Sequence, residues 1–223
     1  MLLKGLFWGS LGALAWTHVG YPVAVAALAR VRPRPIRKYD VTPQVSVIVA
    51  AHDEEDVISR RVENLLELDY PADLVEIVVA SDGSTDRTDE IVEEIAAGAP
   101  RVRLVRNERA GKAAAQNRAV ATSEIEIVAF SDANSTWAPD ALRKLVRSFA
   151  DPDVGYVCGQ LRLESPDGVN QEGLYWRYEL WQRESESAIG SITAGNGAIY
   201  AVRRSDYLGW DDPRIGHDFG LPF

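Results

Sequence analysis

The chain has 223 residues, of which 46% are hydrophobic and 26% are charged, the composition of a globular rather than a disordered protein. The net charge is −9 at pH 7, yet the first 40 residues carry six basic residues and one acidic residue, so the acidity lies in the remainder. Such an acidic body lacks the basic footprint that a phosphate backbone requires, which excludes nucleic acid as a partner. Cys158 is the one cysteine, so an internal disulfide framework is also excluded.

The N-terminus carries a long stretch without charge. Residues 5–29 contain no Asp, Glu, Lys or Arg, and about 20 helical residues are enough to cross the hydrocarbon core of a membrane. Basic residues follow at positions 30, 32, 34, 37 and 38, and such clusters stay on the cytoplasmic side. We therefore expect residues 1–30 to be a single-pass anchor in the cell inner (plasma) membrane, with the body of the chain in the cytoplasm.

A cleaved signal peptide is the alternative interpretation, because Ala27-Leu28-Ala29 matches a small-x-small cleavage site. The apolar stretch is longer than that of a typical signal peptide, and a basic cluster directly after it opposes export. These two features favour the anchor. The proline- and arginine-rich residues 31–43 are then a basic linker between the anchor and a single domain at 44–223.

Beyond the linker, β-branched runs alternate with helical patterns. The sequence predicts strands at 44–50, 74–80, 101–105 and 125–130, and helices at 55–68, 85–98, 111–121 and 138–150. Strands separated by helices of this length indicate an α/β fold with a mostly parallel sheet that is flanked by helices. A strand at 154–163, a helix at 172–188 and a strand at 197–204 follow as an addition to the same sheet.

Acidic residues follow three of the predicted strands. The first strand is followed by His52-Asp53-Glu54-Glu55, the second by Asp82 and the fourth by Asp132. In open α/β sheets, ligands bind outside the carboxyl ends of the strands. Each acid alone could simply cap the helix that follows it. Three carboxylates at one edge repel one another, however, and a divalent cation or a hydrogen-bond-donating base would relieve that repulsion.

Gly111 and Lys112 open the third predicted helix of the domain, where free N–H groups and the helix dipole favour an anion. A solvated surface lysine is the simpler alternative. The pair is not part of a P-loop, because Arg106 stands where that motif needs a glycine. The chain also lacks the G-x-S-x-G and G-x-G-x-x-G patterns, which argues against a serine hydrolase and a dinucleotide-dependent enzyme.

Four stretches, taken in order, resemble the signature of family 2 glycosyltransferases with the GT-A fold: VIVAAHDEED, VVASDGSTDRT, AGKAAAQNRA and FSDANSTW. The later stretches GNGAIYAVRR and GHDFGLPF resemble membrane-associated bacterial members. The resemblance implies a GT-A-type sheet preceded by one transmembrane helix. It also implies inverting, metal-assisted transfer of a sugar from a UDP- or GDP-sugar to a lipid or saccharide acceptor at the membrane.

The same resemblance implies roles for individual residues. A nucleotide would be bound by His52, Glu54, Asp82, Lys112 and Asp132. Asp132 and Asn134 would hold Mg²⁺ or Mn²⁺ against the diphosphate, and Asp218 would be the catalytic base. Asn134 stands where the family usually has the second acid of D-x-D, and a neutral amide oxygen is expected to bind a hard cation less tightly than a carboxylate.

Relatives of this type continue beyond the position of Phe223, so we expect the domain at 44–223 to be incomplete at its C-terminus. Two other functions remain open at this stage. One is a membrane-tethered remnant that binds a nucleotide sugar without turnover. The other is a sugar nucleotidyltransferase, although such enzymes place a glycine-rich loop after the first strand, where this chain has AHDEED.

Overall fold

The structure is a computed structural model that describes residues 1–160, 173–207 and 209. These residues divide into two compact units. Residues 1–35 and 173–194 form one unit, and residues 36–160 with 195–207 and 209 form the other. All the strands of the described residues lie in the second unit.

Strands and helices alternate along the second unit, as the sequence predicts. The strands are β1 (Val45–Ala51), β2 (Val75–Asp82), β3 (Val102–Asn107), β4 (Ile127–Asp132), β5 (Tyr156–Cys158) and β6 (Ile199–Arg203). The α-helices of the whole described chain are α1 (Leu2–Ala15), α2 (Tyr21–Val31), α3 (Ile58–Leu66), α4 (Thr88–Gly98), α5 (Lys112–Ala121), α6 (Ala141–Val146) and α7 (Leu174–Ser187).

The strands form one six-stranded sheet in the order β3-β2-β1-β4-β6-β5. β1 pairs in parallel with both β2 and β4, and β2 pairs in parallel with β3. β6 runs antiparallel to β4, and β5 runs antiparallel to β6. The predicted mostly parallel α/β sheet is therefore confirmed, and the late strands extend the same sheet.

Both faces of the sheet are covered, which explains the near-continuous apolar runs of its central strands. Val47 and Val49 of β1 pack into a core that includes the apolar residues of α3, α4 and α6. Ile48, between them, points to the opposite face and packs into a second core with the small residues Ala115 and Ala119 of α5. Side chains of a strand alternate between faces, so one strand contributes to two cores.

The C-terminal half of the domain differs in detail from the sequence prediction. The predicted helix at 138–150 is α6 followed by a 3₁₀ turn at Arg147–Ala150. The predicted strand at 154–163 is limited to β5 within the described residues, and positions 161–163 lie outside them.

In the first unit, α1 and α2 are joined through a π-helical turn at Trp16–Gly20, so that Leu2–Val31 is one apolar helix of 30 residues. By length and composition it is a candidate membrane span. Pro22 explains the turn, since it has no N–H to give to the carbonyl of His18 four residues earlier. That carbonyl instead accepts a hydrogen bond from the Tyr178 hydroxyl of α7 at 2.7 Å.

A buried carboxylate joins the elements of this unit. Glu186 of α7 accepts hydrogen bonds from the Tyr21 hydroxyl at 3.0 Å and from Gln182 Nε2 at 3.0 Å. It also accepts the backbone N–H of Thr193 at 2.8 Å. With these donors the carboxylate is satisfied although it is buried. Glu186 thus holds α2, α7 and the segment after α7 together.

Candidate active site

Three strands of the sheet end side by side at one edge. Ala50 near the end of β1 lies beside Ala80 of β2 and beside Asp132 of β4. His52 follows Ala50 by two residues, and Asp82 follows Ala80 by two residues. The structure therefore brings together the strand ends that the sequence identifies as acidic. The loops that follow these strands form the candidate site, which lies in the second unit.

Asp53 links the loop after β1 to the loop after β2. Its Oδ1 accepts the backbone N–H of Thr85 at 2.7 Å, and its own N–H donates to Ser84 Oγ at 3.3 Å. The hydrogen bond from Thr85 is the main reason why the pKa of Asp53 is lowered. The backbone of Asp53 lies in the left-handed region, with a φ of 53°. The two loops are thereby held in one arrangement.

Asp86 makes a second link between the same two loops. Its Oδ1 accepts the N–H of Thr88 at 2.9 Å, and its Oδ2 accepts the N–H of Glu55 at 3.0 Å. The Glu54 N–H donates to Thr88 Oγ1 at 2.8 Å. The helices begin after these linked loops, α3 at Ile58 and α4 at Thr88, each three residues later than the sequence predicts.

Asp82 is only 3% exposed, and it accepts hydrogen bonds from the segment before α5. Its carboxylate accepts the backbone N–H of Ala110 at 2.8 Å and that of Gly111 at 2.9 Å. Arg109 Nη1 lies 3.4 Å from its Oδ2. Asp82 therefore positions the start of α5, the helix whose first residue is Lys112.

Lys112 contacts Asp132 across the edge of the sheet. Its Nζ donates a hydrogen bond to Asp132 Oδ1, and both side chains remain partly exposed. Asn134 is exposed two residues beyond Asp132. The structure therefore puts a cation beside a carboxylate at the carboxyl end of β4, and the exposed amide of Asn134 follows in the same segment. A cationic side chain at a helix start beside oxygen donors suits a phosphate group that is accompanied by a hard cation.

The donors at this place fit Mg²⁺ or Mn²⁺, which prefer oxygen ligands. Asp132 supplies a carboxylate, and Asn134 supplies a neutral amide oxygen. Within the described part of the chain, no group of three His, Cys, Asp or Glu side chains is arranged to hold a metal ion. A cation at Asp132 and Asn134 would therefore complete its coordination with oxygens from a ligand or water.

The remaining predicted site residues are placed as follows. His52 is half-buried, with Nε2 3.3 Å from Asp53 Oδ2. Its Nδ1 is buried and has no hydrogen-bond partner among the described residues. Glu54 is half-buried beside it, and its carbonyl accepts the N–H of Val57 at 3.0 Å. Asp218 lies outside the described residues.

Sequence reasoning missed the burial of one charged residue of α3. Arg61 of α3 is 1% exposed, and it is the largest of the fully buried side chains in the described residues. Its position is three residues after Ile58 and four before Leu65, on the buried face of the helix. An arginine at that spacing was a signal that could have been recognised, because charged residues are almost never fully buried unless they are paired.

The comparisons with known proteins agree on one family. Residues 46–209 match the model of glycosyl transferase family 2. A beta-monoglucosyldiacylglycerol synthase from Synechocystis is 33% identical over 80% of this chain and 39% of its own length. A synthase of the same name from Nostoc is 31% identical over 97% of this chain and 48% of its own length. The chain thus spans less than half the length of these curated relatives.

Among solved structures, the chain is similar to the mannosyltransferase PcManGT from Pyrobaculum calidifontis in complex with GDP-Man and Mn²⁺. The identity is 30% and the TM-score is 0.74, over 92% of this chain and 59% of that one. The similarity therefore extends to the fold as well as to the sequence.

The contact between Gly83 and the segment before α5 gives a first prediction. Gly83 has a φ of +66°, and a Cβ there would lie 2.9 Å from the backbone nitrogen of Arg109. We expect Gly83→Ala to lower the free energy of unfolding by at least the roughly 1–2 kcal/mol cost of the left-handed conformation, because the segment must also move away from Asp82. Urea unfolding of the detergent-solubilised chain measures this.

Gly98→Ala is the matched control. Gly98 is the last residue of α4, and nothing lies within 4 Å of a Cβ built there. The substitution should leave the protein unchanged or stabilise it by up to about 1 kcal/mol. Equal stability of the Gly83→Ala protein and the wild type would show that the close approach of Arg109 to Gly83 is wrong.

Proposed function

The chain belongs to glycosyl transferase family 2, and from this premise we propose that it transfers a hexose from a UDP- or GDP-sugar to a lipid acceptor at a membrane, with inversion at the anomeric carbon. One observation carries the proposal: Lys112, at the start of α5, contacts Asp132 at the carboxyl end of β4. A cation and a carboxylate at this edge of an α/β sheet are suited to a nucleoside diphosphate and its metal ion.

Lys112 and the start of α5 bind the diphosphate in this proposal. The positive end of the helix dipole and the ammonium group both favour an anion. Asp82 accepts the amides of Ala110 and Gly111 and so sets where α5 begins. His52 and Glu54, at the end of β1, form with Asp82 the side of the site that binds the nucleoside.

In this proposal Asp132 and Asn134 would hold Mg²⁺ or Mn²⁺, and the cation would supply positive charge to the leaving nucleoside diphosphate as a Lewis acid. Two observations support this pair. Both residues offer oxygen atoms, the ligands that these cations prefer. The similar mannosyltransferase structure is described as a complex with GDP-Man and Mn²⁺. When the diphosphate binds, Lys112 contacts the diphosphate in place of Asp132. The Asp132 carboxylate is then available to the cation.

Asp218 is the general base of the proposed reaction. It takes the proton from the acceptor hydroxyl as that oxygen attacks the anomeric carbon, while the bond to the diphosphate breaks. The attack comes from the side opposite to the leaving group, which accounts for inversion. This assignment rests on the resemblance of GHDFGLPF to the family pattern.

A lipid acceptor is proposed because two features point to a membrane. The two curated relatives from Synechocystis and Nostoc are named as synthases of a glucosylated diacylglycerol. The chain begins with an apolar helix, Leu2–Val31, that is long enough to span a bilayer. The basic residues after it put the domain on the cytoplasmic side of the inner (plasma) membrane.

We predict that UDP or GDP binds with Mn²⁺ or Mg²⁺ and that a chelator removes most of the affinity. Asn134→Asp should raise the affinity for the cation by about 5-fold or more, because one further unit charge at contact distance contributes about 1 kcal/mol even in water. Titration calorimetry of the full chain in detergent, with and without EDTA, measures both effects.

Gln44→Glu is the matched control for that experiment, since it makes the same amide-to-acid change next to the opposite end of β1. It should leave the metal affinity unchanged. Nucleotide binding that is equal with and without EDTA would contradict the metal site.

For the base, Asp218→Asn should lower sugar transfer by about 10²–10⁴-fold, the usual contribution of general-base assistance, and should leave nucleotide affinity intact. Transfer of labelled sugar into lipid extract gives the rate, and Asp211→Asn is the matched control. A transfer rate within a few-fold of the wild-type rate would show that another acid is the general base, and Asp212 is the next candidate. If the wild-type chain binds nucleotide and transfers nothing, it is a binding protein without turnover.

The anchor proposal predicts that residues 5–29 stay in the mature protein and hold it in the membrane. Alkaline carbonate washing should leave the protein with the membranes, and protease added outside intact cells should not cleave the domain. Release of an intact domain by carbonate, or its cleavage from outside, would count against this topology.

A further inference from the structure

Tyr207 contacts two elements of the candidate site. Its hydroxyl donates a hydrogen bond to Asn117 Oδ1 of α5 at 2.7 Å. Its ring stacks on Phe130 of β4, with the two ring centroids 5.5 Å apart. One side chain therefore bridges the helix that begins with Lys112 and the strand that ends with Asp132.

The surroundings of Tyr207 hold its side chain in one orientation. Phe130 is fully buried, and it also stacks on Tyr200 of β6 at a centroid distance of 4.7 Å. A 3₁₀ turn at Arg204–Asp206 joins Tyr207 to β6, which pairs with β4. Burial raises the pKa of Tyr207, so its hydroxyl stays protonated at neutral pH and remains a hydrogen-bond donor. The ring contacts and the hydrogen bond thus act together on one side chain.

The other contacts of α5 tie the helix to strands other than β4. Asp82 of β2 accepts the N–H groups of Ala110 and Gly111, which fixes the start of α5 relative to β2. The body of the helix packs chiefly on β1 and β2. Lys112, however, reaches Asp132 on β4. The bridge from α5 to β4 therefore adds a constraint that the contacts with β1 and β2 do not supply.

The bridge lies close to both members of this ion pair. Asn117 is five residues after Lys112, which is about 7.5 Å along the helix axis. Phe130 is two residues before Asp132, which is about 7 Å along the strand. A change in the separation of α5 from β4 at Tyr207 therefore changes the separation of Lys112 from Asp132.

We propose that Tyr207 is a positioning residue that sets the distance between Lys112 and Asp132, and with it the fit of the site to a nucleoside diphosphate and its cation. This inference rests on the proposed function. Tyr207 acts through the two elements that it contacts, α5 and β4. Because the diphosphate and the cation bind side by side at Lys112 and Asp132, a fixed separation of these residues favours binding, and a loosened separation weakens it.

Four variants of the full chain in detergent test the proposal. Tyr207→Phe removes the hydroxyl and keeps the ring that stacks on Phe130. Tyr70→Phe is the matched control, because the Tyr70 hydroxyl donates to the Pro43 carbonyl at 2.6 Å, just before the opposite end of β1. Lys112→Met, alone and combined with Tyr207→Phe, removes the ammonium group that Tyr207 positions. Calorimetry measures the affinity for UDP and GDP at saturating Mn²⁺, and urea unfolding measures stability.

Tyr207→Phe should lower the nucleotide affinity by about 5-fold, the equivalent of one hydrogen bond of ordinary net strength. Tyr70→Phe should lower the stability and keep the wild-type affinity. In the Lys112→Met protein, Tyr207→Phe should cause no further loss of affinity, because the two substitutions act on one interaction. An unchanged affinity of the Tyr207→Phe protein, or a loss of similar size with and without Lys112, would overturn the proposal.

The control and the wild type separate the remaining outcomes. An equal loss of affinity in Tyr70→Phe and Tyr207→Phe would show a general effect of lower stability and would also overturn the role of Tyr207. A wild type that binds neither UDP nor GDP would contradict the proposed function itself. A wild type that binds one of them, beside a Tyr207→Phe protein that binds it equally well, would overturn this inference alone.

Discussion

Carboxylates gathered at one edge of a parallel sheet repel one another, and the loops around this site are built to offset that repulsion. The backbone amide of Thr85 donates a hydrogen bond to Asp53 and so stabilises its negative charge. The amides before α5 stabilise the charge of Asp82 in the same way, and the ammonium group of Lys112 stabilises that of Asp132. Asp53 and Asp82 therefore have backbone partners, whereas Asp132 has a side-chain partner, and this difference separates their roles.

Asp53 and Asp82 are satisfied by backbone amides, which belong to the fold and cannot leave without unfolding a loop. Their contacts join the ends of β1 and β2 to the start of α5. Asp132 is satisfied by the flexible side chain of Lys112, a partner that can move when a ligand arrives. Of these three acids, Asp132 is therefore the one suited to exchange its partner for a cation.

The alternation of strands and helices could be predicted, because β-branched runs and helical spacing are local properties of the sequence. The starts of α3 and α4 could not, because the residues before them are held by contacts between two loops that are distant in sequence, such as that of Asp86 with the Glu55 amide. The π-helical turn before Pro22 follows from local chemistry, whereas its contact with Tyr178 follows from packing. The acidic strand ends were visible in the sequence. Their partners, and the burial of Arg61, arise only once distant elements come together.

The account is tested most directly by diffraction from crystals grown with Mn²⁺ and UDP or GDP, with data collected at a wavelength where manganese scatters anomalously. The account predicts an anomalous peak at coordination distance from a carboxylate oxygen of Asp132 and a diphosphate at the start of α5. Lys112 should then contact the diphosphate in place of Asp132. A metal peak or a nucleotide away from the carboxyl ends of β1, β2 and β4 would contradict it.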